Sequence, residues 1–191
     1  EGGLATTQNQ KIAEAMNLAR SHGITRDPTL YENPNLGSWY YEQIRLGFNY
    51  RMTELQAALG LTQMQRLTKI VDRRTAIAAR YDQILANFPV QLPIQAPSTC
   101  SSWHLYVIQV PQNYHSQIFD DLKTAGIGVN LHYIPIHTHP YYRSMGFKLG
   151  QFPNAESYYR KSISIPLYFG LEEKDQDRVC ATLEQSLLRI T

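Results

Sequence analysis

The chain has 191 residues and a mass of 21.9 kDa, enough for one large or two small domains with a real core. Apolar residues make up 43% and charged residues 18%, and the net charge is +2, which excludes intrinsic disorder and gives little support to nucleic-acid binding. The apolar runs fall far short of the ~20 residues of a membrane span, and the first residues show no basic-then-apolar leader.

Cys100 and Cys180 are too few for a disulfide framework or a four-ligand zinc site. They read as reduced structural thiols, which favours the cytoplasm. The 13 tyrosines outnumber the 6 phenylalanines and 2 tryptophans. An apolar ring with a polar tip suits wet clefts and interfaces.

Residues 1–7 are expected to form a turn and then a short strand. Asn9 is placed to cap a helix from about Gln10 to Arg20, with Ile12, Met16 and Ala19 on one face and Gly23 as its stop. Residues 24–46 carry Pro28, Asn33, Pro34, Asn35 and Gly37, the composition of a long irregular loop, and such loops are usually functional. Tyr31, Trp39, Tyr40 and Tyr41 suit that loop to lying on the body of the protein or on a partner subunit.

Thr53 and Gln56 form a Thr-x-x-Gln capping-box pattern. Leu55, Leu59, Leu67, Ile70, Ile77, Tyr81, Ile84 and Phe88 follow at near-helical spacing, predicting one helix to about residue 87, stopped by Pro89. At ~1.5 Å per residue it would span roughly 50 Å and bridge two structural layers, with its apolar and aromatic stripe as ordinary core.

Further on, 103–110 reads as a strand apolar on both faces, hence central. A helix over 116–125 carries Ile118, Phe119 and Leu122 on one side and stops at Gly126. A strand over 127–134 has a core face of Ile127, Val129, Leu131 and Tyr133 and a polar face of Gly128, Asn130 and His132. A short helix over 153–161, a strand with Ile163, Ile165 and Leu167, and a helix over 172–189 complete the chain. The last helix has acids in its first turn and Arg189 near its end, as the macrodipole favours. This alternation predicts a small α/β sandwich.

Two segments carry chemistry. The stretch from Leu46 to Gly60 delivers Asn49 and Arg51 just ahead of a helix N-terminus, where free N–H groups, an amide and a guanidinium make an anion site. The structural alternative is that Asn49 ties down the turn and Arg51 pairs with a carboxylate such as Glu54. In the second segment, His132, His137 and His139 fall within eight residues, which invites a metal reading. Pro135 and Pro140 interrupt the run and no nearby Cys, Asp or Glu completes a ligand set, so a loop lining a polar cleft is the better reading, with a surface loop of solvated histidines as the alternative. His22 is placed to satisfy carbonyls at a helix end, and His104 reads as a core histidine within a strand. The Gly-x-Gly-x-x-Gly, Walker, Gly-x-Ser-x-Gly and His-Glu-x-x-His motifs are absent, and no nucleophile stands out.

Gly47-Phe48-Asn49-Tyr50-Arg51-Met52 followed by Leu55-Gln56-Ala57-Ala58 resembles the signature of the DegT/DnrJ/StrS-type nucleotide-sugar aminotransferases. Glu1-Gly2-Gly3-Leu4-Ala5-Thr6-Thr7 and Arg20-Ser21-His22-Gly23 fit the same family in order, as do His132-Tyr133-Ile134-Pro135-Ile136-His137, Pro140-Tyr141-Tyr142 and Ser164-Ile165-Pro166-Leu167-Tyr168. The likeness covers essentially the whole chain and is nearest to the transaminases of pseudaminic acid synthesis.

The resemblance implies the C-terminal part of the aspartate-aminotransferase fold (PLP fold type I), a small α/β sandwich with a short, mainly antiparallel sheet. Residues 1–51 would be the tail of the large domain with an active-site loop, 52–88 a connecting helix, and 89–191 the small domain. It implies a cytoplasmic homodimer that uses pyridoxal 5′-phosphate to move an amino group from L-glutamate to a UDP-linked 4-keto-6-deoxy sugar, with no nucleic-acid or membrane partner. Asn49 would reach the cofactor phosphate of the other subunit, with Arg51 helping through charge. His132 and Tyr133, and more weakly His137, would meet the sugar or its phosphates.

In the family, the Schiff-base lysine precedes the Glu-Gly-Gly segment. None of Lys11, Lys69, Lys123, Lys148, Lys161 and Lys174 stands in its context. No catalytic residue is therefore assigned within the chain, which is expected to be a C-terminal half that is inactive alone. Two alternatives stay open: a dehydratase of the same family, with histidine in place of that lysine, and a non-catalytic binding or dimerisation module.

Overall fold

The computed structural model describes residues 3–33 and 37–189 and divides into two compact units, Glu1–Met64 and Gln65–Thr191. The expected turn at Glu1 and Gly2 lies outside the described residues, as do Pro34 and Asn35 of the long loop.

In the first unit, residues 3–7 form no strand. Helix α1 (Gln10–Arg20) starts as predicted, with Asn9 Oδ1 accepting from the Ile12 N–H at 3.3 Å. At its end the Ser21 and Gly23 N–H groups both donate to the Leu18 carbonyl (3.1 and 2.8 Å). His22 takes a positive φ of 62° there. Its backbone, not its ring, works at this end: the N–H donates to the Phe48 carbonyl at 2.8 Å and the carbonyl accepts from Gln43 Nε2 at 2.9 Å.

The stretch 24–46 holds more order than its composition suggests. Strands β1 (Ile24–Thr25) and β2 (Glu42–Gln43) pair antiparallel. The Glu42 carboxylate accepts from the Glu32 N–H (2.7 Å), the Asn33 N–H (2.9 Å) and the Tyr40 hydroxyl (2.8 Å). These donors, the Glu32 N–H foremost, hold its pKa below the ordinary carboxylate value, and the bond to Glu42 raises that of Tyr40.

The expected single helix over 53–87 is two helices, α2 (Glu54–Gln65) and α3 (Leu67–Leu85), separated by Arg66 at φ −100°, ψ −1°. The capping box forms: the Gln56 N–H donates to Thr53 Oγ1 (3.3 Å) and the Thr53 N–H to Gln56 Oε1 (3.2 Å). The expected core stripe holds only for α3, which buries Ile77, Ala78, Tyr81 and Leu85. Helix α2 buries nothing, and Leu55 is 86% exposed. Apolar periodicity reports a face that wants cover but does not say whether the same chain covers it.

In the second unit, β3 (Tyr106–Gln109) pairs antiparallel with β4 (Ser162–Ile165), Tyr106 opposite Ile165 and Gln109 opposite Ser162. Gln91 pairs with Gln109 on the other edge of β3 through two backbone bonds of 2.8 and 2.9 Å, so β3 is central, as predicted. It starts later than residue 103 because the Arg74 guanidinium takes the Trp103 and His104 carbonyls (2.8 and 2.6 Å), and Trp103 turns to φ 49°. His104 is consequently exposed rather than a core histidine within the strand.

Helix α4 (His115–Thr124) ends at Gly126, whose φ is +74°. The expected strand over 127–134 is reduced to one bridge, Asn130 with Ser164. Short helices α5 (Pro140–Ser144) and α6 (Pro153–Tyr159) follow, then β4 and α7 (Glu173–Leu188), which packs on α3 and α4. The core joins Tyr81 and Leu85, Tyr106 and Ile108, Ile118 and Leu122, Ile163 and Ile165, and Val179 and Leu183. Its polar groups are paired: the Tyr81 hydroxyl donates to the Pro166 carbonyl (3.0 Å), and Gln176 Nε2 donates to the Ile77 carbonyl (3.0 Å). Cys180 is buried and Cys100 exposed, both free; burial pushes the Cys180 thiol up to about 11, an unreactive structural thiol.

Candidate functional site

The predicted anion-binding turn lies wholly in the first unit. Residues 45–50 press against the end of α1: the Phe48 N–H donates to the Ala19 carbonyl (2.6 Å) and the Tyr50 N–H to the Arg20 carbonyl (2.9 Å). Two glycines permit the approach. A Cβ on Gly47 would sit 2.2 Å from the Gly23 nitrogen, and one on Gly23 would sit 1.9 Å from the Arg45 oxygen. The Phe48 and Tyr50 rings stack with centroids 5.0 Å apart, flanking Asn49 in sequence. Asn49 and Arg51 are both exposed.

Asn49 takes part in the turn through its backbone, in an antiparallel bridge with Ser21. Among the described residues the Asn49 amide makes no side-chain hydrogen bond, and Arg51 forms no ion pair with Glu54 or any other carboxylate. A neutral amide and a guanidinium, both with donors free, stand immediately before the capped start of α2. An open concavity of about 530 Å³ borders Arg51, lined by Gly3, Tyr50, Met52, Gln56 and Leu59 among others; Asn49 is not part of its lining. This donor set suits a phosphate-sized dianion.

The histidine segment lies wholly in the second unit. His132 Nδ1 is 2.7 Å from Ser164 Oγ, and its ring meets Tyr133 edge-on at 4.7 Å. Tyr133 does not join the core face: it is 72% exposed. With the strand reduced to the Asn130 bridge, the alternation that placed Tyr133 inward no longer holds. His132 and Tyr133 thus form an accessible pair on the loop.

His137 is 7% exposed, and its Nε2 lies 2.9 Å from Glu156 Oε1. That carboxylate also accepts from the Gly150 N–H at 2.7 Å. The His137 hydrogen bond first, and the Gly150 N–H second, hold the Glu156 pKa below its ordinary 4.5. A carboxylate lowered on folding stabilises the fold above its unfolded pKa, and the gain is lost as pH falls through the folded value. Glu156→Gln is therefore expected to melt below wild type at neutral pH, with the two melting curves converging in acid below about 4.5. A gap that persists undiminished in acid would refute this.

Among the described residues no three His, Cys, Asp or Glu side chains gather to hold a metal ion, and no helix is long and apolar enough to cross a membrane. Sequence reading passed over Glu156, and it named Ser164, Gly47 and Gly23 without foreseeing the contacts they make. Ser164 had a signal in the alternating Ser162-Ile163-Ser164-Ile165; Glu156, nineteen positions from its partner, had none.

Three comparisons bear on this arrangement. The model of the DegT/DnrJ/EryC1/StrS aminotransferase family matches residues 1–184. The spore coat polysaccharide biosynthesis protein SpsC of Bacillus subtilis is 37% identical over 186 residues, 94% of this chain and 48% of that protein. Among solved structures, Helicobacter pylori PseC, an aminotransferase involved in the biosynthesis of pseudoaminic acid, superposes with a TM-score of 0.79 at 26% identity, covering 96% of this chain and 47% of that one. S. venezuelae DesV, solved with a ketimine intermediate, gives a TM-score of 0.79 at 30% identity over 94% of this chain and 45% of that one. The chain spans about half the length of the curated relatives it matches.

Proposed function

Because the chain belongs to the DegT/DnrJ/EryC1/StrS aminotransferase family, whose fold is PLP fold type I, we propose that it is the C-terminal portion of a nucleotide-sugar aminotransferase. The whole enzyme, a cytoplasmic homodimer, moves an amino group from L-glutamate to a UDP-linked 4-keto-6-deoxy sugar in pseudaminic acid synthesis. The likeness to PseC supports that choice of sugar. No lysine of this chain stands in the context of the cofactor lysine, so the chain by itself does not turn over. When bound, pyridoxal 5′-phosphate supplies the electron sink for the reaction; this chain supplies binding and orientation.

The observation that carries the reading is the pair of side-chain donors at Asn49 and Arg51, unpartnered among the described residues and presented on a loop locked to α1 by Gly47 and Gly23. In the homodimer they hold the cofactor phosphate of the partner subunit, Asn49 through its amide and Arg51 through charge. His132 and Tyr133 meet the nucleotide sugar. His137 serves the same loop from inside, tied to Glu156. The exposed apolar face of α2 is supporting evidence for a covering subunit.

The test is Asn49→Ala in the whole enzyme, with cofactor affinity measured by titration. Retention is expected to weaken by about 0.5–1.5 kcal/mol for a neutral hydrogen bond, or about 1.5–3 if it is charge-assisted. Folding stability should move by no more than about 0.5 kcal/mol, because the side chain is exposed and unbonded. Unchanged cofactor affinity would remove Asn49 from the site.

A further inference from the structure

We propose that Asn130 and Ser164 are positioning residues that hold neutral His132 as its Nδ1–H tautomer, so that Nε2 offers a lone pair to a hydroxyl of the sugar. The inference deepens the reading of His132 as a substrate contact and rests on it for the ligand. The tautomer itself follows from the unliganded geometry.

Asn130 and Ser164 are locked opposite each other. The Asn130 N–H donates to the Ser164 carbonyl (3.1 Å) and the Ser164 N–H to the Asn130 carbonyl (2.8 Å). Two residues on, the His132 ring returns to the same serine, with Nδ1 2.7 Å from Oγ. Ser164 is 5% exposed, so water does not compete for that contact, and its Oγ has no other hydrogen-bond partner among the described residues.

Asn130 decides the direction of the bond. Its Oδ1 accepts from the Leu131 N–H at 2.8 Å, which fixes the amide with oxygen on that side. The nitrogen, Nδ2, therefore faces the ring, 3.5 Å from Nε2, at the long end of a hydrogen bond. An amide nitrogen only donates, so the ring nitrogen facing it must be the acceptor. The single proton of the neutral imidazole then sits on Nδ1 and is donated to Ser164 Oγ. Histidine free in water favours the opposite, Nε2–H, form, so the site reverses the default.

The consequence is a choice between two parts of a nucleotide sugar. The ionised phosphate oxygens are acceptors and find no proton at Nε2, whereas a sugar hydroxyl donates to it. The exposed Tyr133 ring beside His132 offers an apolar face for the same ring of the sugar.

The experiment is nitrogen-15 imidazole NMR of His132 in the unliganded chain at alkaline pH. Wild type should show a protonated Nδ1 and a bare Nε2. Ser164→Ala should shift this towards a mixture, and Ser164→Thr, which keeps the hydroxyl, should restore it. Asn130→Asp should invert the tautomer, because a carboxylate at that position accepts from Nε2–H. A wild-type Nε2–H form, or a tautomer unmoved by both Ser164→Ala and Asn130→Asp, overturns the assignment. If Ser164→Ala does not fold, Asn130→Asp, at an exposed side chain, decides alone. In the whole enzyme, the Nε2 resonance should move on adding the UDP-sugar and stay with UDP alone. Movement with UDP overturns the contact to a hydroxyl of the sugar beyond the diphosphate. Movement with neither takes His132 out of the substrate site, a failure of the functional reading that the unliganded tautomer distinguishes.

Discussion

Gly47→Ala is expected to unseat the 45–50 loop from the end of α1. The added methyl would lie 2.2 Å from the Gly23 nitrogen, 2.5 Å from the His22 carbonyl carbon and 2.9 Å from the Ala19 oxygen. All three are backbone atoms, so no side chain can swing away to make room. Relief requires separating the loop from the helix, which breaks the bonds that the Phe48 N–H and the His22 N–H make across this contact. The expected cost is about 3 kcal/mol, at or beyond the upper end for overpacking. Gly60→Ala is the control: it lies within α2 with nothing near its absent Cβ, and alanine there should stabilise by about 0.8–1 kcal/mol. Urea unfolding separates the two, and amide exchange at His22 and Phe48 should speed up only in the Gly47 variant. In the whole enzyme the same variant should retain cofactor more weakly than Asn49→Ala, since it displaces both donors. Equal stability of the two glycine variants would refute the packing argument.

What the sequence discloses here follows from the range of the forces involved. The Asn9 cap, the Thr53–Gln56 box and the closing helix depend on neighbours within a few residues and are legible, and the strand around Tyr106–Gln109 shows in its local apolar run although its partners are distant. The late start of β3 and the ordered loop around Glu42 depend on partners outside the local window: Arg74 with Trp103, and Glu42 with Glu32. Composition marks 24–46 as loop-like without showing that the Glu42 carboxylate gathers four donors there. The same limit governs the candidate site. Residue type and spacing single out Asn49, Arg51 and His132, but only the fold shows that among the described residues the side chains of the first two have no hydrogen-bond or ion-pair partner. It likewise shows that His132 is held by Ser164, and that His137 is spent on Glu156.

Leu183→Ala and Leu55→Ala delete the same atoms from two helices and should differ widely. Leu183 of α7 is fully buried among Tyr81, Ile118, Ile163 and the rest of the core. Removing its side chain should cost about 2–5 kcal/mol, the spread reflecting how far the core relaxes into the void. Leu55 of α2 is 86% exposed, and its deletion from the isolated chain should change stability by about 0.5 kcal/mol or less. Denaturant unfolding of both variants checks the contrast, and a comparable loss in each would mean that α2 is covered within this chain after all. The comparison reaches further in the whole enzyme. There a subunit that buries Leu55 and Leu59 would turn the quiet substitution into one that weakens association, read as a raised dimer dissociation constant. Within the chain Leu55 and Leu59 are both exposed, so the substitution is quiet there and becomes costly only where another polypeptide covers them.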